Sequence, residues 1–393
     1  MKAVRYAKTV TVVFLALALL AALFGLTACG NAPASAVKIG VLAPLSGPFA
    51  SGGKSMEQGL DMARDEINAR GGISGHPVAL LVEDTQGRPD VARNAALKLT
   101  GQEHVAALVG AYLSEETNAV LQVAVQSKTL LIVPISADDA LTQNVAKDYD
   151  RYRYLFRVSY DIDQWAALMG DFITNGLKNT NYAFVGTNID WNHALATALK
   201  NYLAKRGVTP MYEQYYAPGQ PAYDPVLLAL QRVKPQVVVL ADPGGGSVGL
   251  VKAARAQGLV IPLFSVGGAL GTQAVAKSLG YGGPLYFQAA AWRGAAPADA
   301  FFTSYAQKYK SPPVGYSDVL GHDALTVLAQ AMNQAGSTAP DAVIPVLEKG
   351  AFGGVAGTYR FDASHQARWG TGEGLAGVVV RWVNGQGVAA RWR

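Results

Sequence analysis

From Val37 onward, short runs rich in β-branched residues alternate with longer amphipathic stretches, and no other feature limits the possible folds of this chain so strongly. Val37–Leu42, Val78–Val82, Val105–Val109 and Leu130–Val133 read as strands. Met56–Ala69, Pro89–Leu99 and Thr117–Val125 read as helices between them, the first with Leu60, Ala63 and Ile67 on one face. A second series repeats the rhythm, with strands at Tyr182–Val185, Val237–Leu240 and Leu263–Val266 and helices at His193–Ala204, Tyr223–Gln231 and Ser247–Gln257. A βαβ crossover is right-handed and sets its strands parallel, so each series predicts a parallel sheet covered by helices on both faces. The 393 residues exceed what one hydrophobic core serves, and two doubly wound α/β lobes are expected. No internal repeat of about 20–50 residues recurs, which excludes a solenoid.

The first 36 residues are a different kind of segment. Lys2, Arg5 and Lys8 precede the uncharged run Val10–Leu26, and Leu26-Thr27-Ala28-Cys29 closes it with small residues before a cysteine. This is the layout of a lipoprotein export signal, because the run is short for a spanning helix and the small residues mark a cleavage point. Residues 1–28 are expected to be removed and Cys29 to carry lipid. Residues 29–36 then tether the protein to the periplasmic or extracellular face of a membrane. Cys29 is the only cysteine, so the rest must fold without disulfides or a thiolate metal cluster. Without the three basic leader residues, 30 basic side chains face 28 acidic ones, a balance that excludes a nucleic-acid binder. His76, His104, His193, His322 and His365 are scattered, and neither a metal nor a cofactor is expected.

Three turns of the first series lie where open parallel sheets place a ligand, beyond the carboxyl ends of the strands. Ser46-Gly47-Pro48 follows the first strand, Tyr112-Leu113-Ser114 the third and Pro134-Ile135-Ser136-Ala137 the fourth. Serine and glycine expose backbone N–H groups there, and a following helix adds its positive end, which suits a carboxylate or another acceptor-rich group. Phe49 and Tyr112 can add apolar walls.

The segments Val41-Leu-Ala-Pro-Leu-Ser-Gly-Pro-Phe-Ala and Gly59-Leu-Asp-Met-Ala-Arg-Asp-Glu-Ile-Asn-Ala-Arg-Gly-Gly-Ile-Ser-Gly resemble the opening of the type I periplasmic-binding-protein family that serves branched-chain amino acid ABC importers. Glu83-Asp84-Thr85, Phe156-Arg157-Val158, His322-Asp323-Ala324 and Gly357-Thr-Tyr-Arg-Phe-Asp agree with it. The resemblance implies a monomer of two lobes, 37–161 with 291–370 and 162–290 with 371–393, joined by a three-crossover hinge. It implies binding rather than catalysis: a small solute is clamped between the lobes and delivered to an ABC permease. By the same resemblance, Ser114, Ser136 and Ala137 fall on positions that hold an amino acid's carboxylate, and Trp191 on that of an aromatic lid. Gly267 and Pro243 stand where amino-acid binders carry an acid and a tyrosine for the ammonium, leaving Asp242 as the nearby acid. The expected ligand-binding set is therefore Ser46, Phe49, Tyr112, Ser114, Ser136, Ala137, Trp191, Asp242 and Gly267. The expected ligand carries a carboxylate or amide on an apolar or aromatic body, since a buried ammonium without a counter-ion is costly.

Two motifs point elsewhere. Gly244, Gly246 and Gly249 fit a dinucleotide-binding loop, but the acid needed about 20 residues further on is missing. Gly245-x-Ser247-x-Gly249 matches a nucleophile elbow, and Asp323 and His365 complete the chain order of an α/β-hydrolase triad. A secreted serine hydrolase is thus the enzymatic alternative, and a partner that presents its ligand to a membrane sensor is the other.

Overall fold

The computed structural model describes residues 35–393 apart from 219–222, 267–268, 281–282, 371, 373, 391 and 393. The expected export signal and Cys29 lie outside the described residues. Among the described residues, no helix is long and apolar enough to cross a membrane.

In the first lobe, β1 (Val37–Ala43), β2 (Val78–Asp84), β3 (Ala107–Val109), β4 (Leu130–Val133) and β5 (Leu155–Arg157) form a parallel sheet in the order β2-β1-β3-β4-β5. The connecting helices are α1 (Ala50–Ala69), α2 (Pro89–Gly101), α3 (Ser114–Ser127), α4 (Asp139–Lys147) and the single turn α5 (Tyr149–Tyr152). Every residue of β3 and β4 is buried, as expected of central parallel strands covered on both faces. The strand order switches between β1 and β3, and the turns after β3 and β4 open beside that switch.

The second lobe follows α6 (Ile162–Asp171) with β6 (Asn181–Thr187), α7 (Asp190–Ala204), β7 (Thr209–Tyr216), α8 (Tyr223–Val233), β8 (Val238–Ala241), α9 (Gly246–Ala256), β9 (Leu263–Ser265), α10 (Gln273–Leu279) and β10 (Leu285–Ala289). Its parallel strands run β10-β9-β8-β6-β7, the same winding as in the first lobe. The chain then supplies α11 (Ala296–Tyr309), α12 (Ser317–Ala335), α13 (Pro340–Lys349) and the pair β11 (Phe352–Gly353) and β12 (Thr358–Tyr359) to the first lobe. It returns as β13 (Val378–Val383) and β14 (Gln386–Ala389), which extend the second sheet antiparallel. Three crossings join the lobes, and Tyr160 sits where they meet. Its hydroxyl donates to Ala289 O at 3.2 Å, and its ring lies 4.1 Å from that of Trp369.

α12 packs on α1 so closely that the backbones touch. A Cβ on Gly59 would stand 1.9 Å from Asp318 O, and one on Gly321 would stand 2.4 Å from Met56 O, so both positions require glycine. The register of α1 is pinned by Asn68, whose amide donates to Val78 O and accepts from Val78 N–H at 3.0 and 2.7 Å.

Candidate functional site

A pocket with about 420 Å³ of empty space, its open mouth included, lies between the lobes at the carboxyl ends of both sheets. The first lobe lines it with Tyr112, Leu113, Ser114, Ile135, Ser136 and Ala137, and the second with Ile189, Trp191, Pro243 and Val266. Trp165 and Tyr316 close it from the segments near the hinge.

Its polar pole comes from two turns of the first lobe. Ser114 is the first residue of α3, Ser136 follows β4, and Ser136 Oγ donates to Ser114 Oγ at 3.2 Å. Both residues are buried. The first-turn amides of α3 lack intrahelical acceptors, so two hydroxyls and a positive helix end face the same space. Burial pushes the phenols of Tyr112 and Tyr316 well above their usual range, keeping both neutral. The opposite wall is aromatic: Trp165 meets Trp191 edge-on at 6.0 Å and Tyr316 at 5.2 Å. Among the described residues, no Asp, Glu, Lys or Arg lines the pocket.

Buried charges hold both walls from behind. Arg157 is fully buried; it donates from Nη1 to Asp138 O at 2.5 Å, from Nη2 to Thr142 Oγ1 at 3.0 Å and from Nε to Gln366 Oε1. Asp138 in turn accepts from Asn118 of α3 at 2.7 Å, tying the Ser136 turn to the Ser114 helix. In the second lobe Asp242 accepts from Tyr216 Oη at 2.8 Å and Gly244 N–H at 2.7 Å, with Gly246 and Ser247 N–H also turned to it. At the rim, Asp190 N–H donates to Glu115 Oε1 at 3.1 Å, a hydrogen bond from the second lobe to the first. A Cβ on Gly244 would stand 2.7 Å from Pro48 O, so the loops of the two lobes also meet at their backbones. This is a shut arrangement.

Of the residues expected from sequence, Tyr112, Ser114, Ser136, Ala137 and Trp191 come together in this pocket. Phe49 and Asp242 line a neighbouring open cleft, with about 780 Å³ of empty space including open solvent, together with Tyr223 and Lys252. Ser46 points to β2, donating from Oγ to Asp84 Oδ2 at 2.6 Å. Gly267 lies outside the described residues. Sequence reasoning missed Trp165, Ile189, Val266 and Tyr316, which enter through hinge and lobe packing and carry no local motif. The hydrolase triad does not assemble. Ser247 Oγ is buried in α9 with no hydrogen-bond partner, while Asp323 accepts from Val355 N–H, Ala356 N–H and Tyr359 Oη. His365 lies 2.8 Å from Leu155 O and 3.1 Å from Glu348 Oε1.

Residues 36–372 match the periplasmic binding protein family. The chain belongs to that family. It is a solute-binding protein with the two-lobed type I fold. An amino acid binding protein of Pseudomonas aeruginosa is 27% identical over 309 residues, which are 77% of this chain and 80% of that protein. A leucine binding protein, LivK, from Thermotoga maritima shares the fold with a TM-score of 0.77 at 22% identity, covering 90% of this chain and 97% of that one. A solute binding protein of an ABC transporter from R. palustris, solved in complex with benzoate, gives 0.79 at 22% identity, with 90% and 95% covered. These structures carry the same two-lobed winding as this binding protein.

Proposed function

We propose that the protein is a lipid-anchored extracytoplasmic receptor that closes its lobes on a small carboxylate with an apolar or aromatic body and presents the shut form to an ABC permease. The observation that carries this reading is the pocket wall. Two serine hydroxyls and a helix N-terminus offer donors, four aromatic rings offer contact area, and no described lining residue is charged. A carboxylate gains charge-assisted hydrogen bonds there, whereas an ammonium loses water and meets no counter-ion. The T. maritima relative is a leucine binding protein and the R. palustris one holds benzoate. The uncharged wall favours the second kind of ligand.

Calorimetry with benzoate and leucine tests the proposal. Tight benzoate binding with weak leucine binding supports it. Strong leucine binding that vanishes in Asp242→Asn overturns it, because the acid then serves an ammonium. Scattering with and without saturating ligand should show a smaller radius of gyration when bound, as hinge closure requires. Anchoring is tested separately by Cys29→Ser, which should release the protein from membrane fractions, with mass spectrometry reading the lipid on Cys29 of the parent.

A further inference from the structure

A trough on the flank of the first lobe shares no lining residue with the interlobe pocket. It holds about 1190 Å³ of empty space, open solvent included, between α1, α11, α12 and the turn after β11. His322 and Thr326, one helical turn apart on α12, are 5% and 8% exposed and lie on its lining. The imidazole is held rigidly. Its Nδ1 is 3.0 Å from Asp323 Oδ1, and Asp323 is itself fixed by Val355 N–H, Ala356 N–H and Tyr359 Oη at 2.7, 2.9 and 2.8 Å. Glycine at 354 lets that turn wrap the carboxylate, since a Cβ there would stand 2.6 Å from it. The neighbouring carboxylates of Asp323 and Glu66 outweigh burial and push His322 up to about 9, so Nε2 carries a proton at neutral pH.

That N–H makes no hydrogen bond. Glu66 Oε2 covers it at 3.4 Å and is itself 3.5 Å from Arg70 Nη2. Thr326 Oγ1 has no hydrogen-bond partner among the described residues, although a helical threonine ordinarily bonds back to the preceding turn. A buried hydroxyl without an acceptor, beside an imidazolium N–H held only by a long ion pair, is a standing cost, which a ligand's acceptors would reduce. We propose that the trough is a second solute site, in which a small organic acid places its carboxylate between His322 Nε2–H and Thr326 Oγ–H while Glu66 moves onto Arg70. Residues four apart on a helix have Cβ atoms about 5–6 Å apart, a span that the two oxygens of one carboxylate bridge with a hydrogen bond at each end. Phe301, whose ring meets His322 edge-on at 5.2 Å, and Ile67 wall the space left for the acid's apolar body.

The test follows the ¹⁵N resonance of the His322 imidazole during titration with sodium benzoate at pH 7, with sodium chloride at matched ionic strength as control. A saturable shift is expected with benzoate only. Thr326→Val keeps shape and removes one donor, and should weaken the apparent Kd about fivefold to tenfold. Glu66→Gln removes the competing carboxylate at a half-exposed position and should tighten it by a similar factor. The interlobe pocket is untouched in both variants. A shift that is equally strong in both, or one that chloride reproduces, shows that His322 reports lobe closure or ionic strength and overturns the second site. Absence of any shift with benzoate overturns it as well.

Discussion

The two lobes wind their strands in the same order but secure their pocket loops with opposite charges. In the first, a buried cation, Arg157, donates to Asp138 O and Thr142 Oγ1 behind the Ser136 turn. In the second, a buried anion, Asp242, accepts from Tyr216 Oη and Gly244 N–H behind Pro243. A carbonyl-rich turn needs a donor at its back and an amide-rich turn needs an acceptor, so each choice follows from which backbone groups the loop turns inward. The consequence for binding is unequal. The loops of the first lobe leave hydroxyls facing the pocket, whereas those of the second present Pro243 and Val266. On the proposed function, one lobe therefore orients a polar ligand and the other encloses it.

The largest test of this asymmetry is Arg157→Met. Removing a fully buried guanidinium strands three acceptors, and the variant should lose about 3–5 kcal/mol of stability in denaturant unfolding. Asp242→Asn keeps an acceptor and should lose only about 1–2 kcal/mol. Equal losses would mean that the second lobe depends on its buried charge as strongly as the first.

Ligand affinity should divide the lobes next. Ser114→Ala and Ser136→Ala should each weaken a carboxylate ligand by about 1–3 kcal/mol in calorimetry, and Val266→Ala by about 1 kcal/mol or less through lost contact area. A larger loss at Val266 would move the polar end of the ligand into the second lobe.

These residues were not equally legible in the sequence. The serine turns stand out because each follows a short apolar run at a strand's carboxyl end, a local pattern that the fold reproduces. β7 was not legible, because Thr209–Tyr216 is an edge strand, half exposed and with Pro210 at its second position, without the apolar run that marked its neighbours. Helices α11 to α13 were also passed over, although α12 is buried over most of its length and lacks the one-sided pattern of a surface helix. Ser46 has the same turn chemistry as Ser114. Only the β1–β2 register, which sets Ala43 beside Asp84, reveals that its hydroxyl is taken. The hydrolase triad failed for a related reason, since chain order says nothing about which partners Asp323 and His365 already hold.

A smaller effect is expected at the rim, where the lobes touch. Glu115→Gln keeps an oxygen for Asp190 N–H but removes the charge that strengthens the bond. The variant should spend more time open and bind the same carboxylate about 0.5–1 kcal/mol more weakly, with an unchanged unfolding midpoint. A lowered midpoint would make Glu115 part of the first lobe's own scaffold.

The smallest expected effect concerns pH and isolates the anion of the second lobe. Burial raises the Asp242 carboxyl above its usual range, and the Tyr216 hydroxyl and the amides of Gly244, Ser247 and Gly246 pull it partly back. A folded-state value above the unfolded one means that the native protein holds this proton more tightly. The resulting stabilisation is complete below about pH 3.9 and is lost as pH rises through the folded value. Arg157 carries its proton across the whole acidic range and adds no such slope of its own. Urea unfolding of the parent and Asp242→Asn between about pH 4 and pH 7 should therefore show the parent's stability falling relative to the variant as pH rises. A difference that grows in the parent's favour would show that the donors around Asp242 outweigh its burial, and the second lobe would then be held by a charge as firmly fixed as the guanidinium of the first.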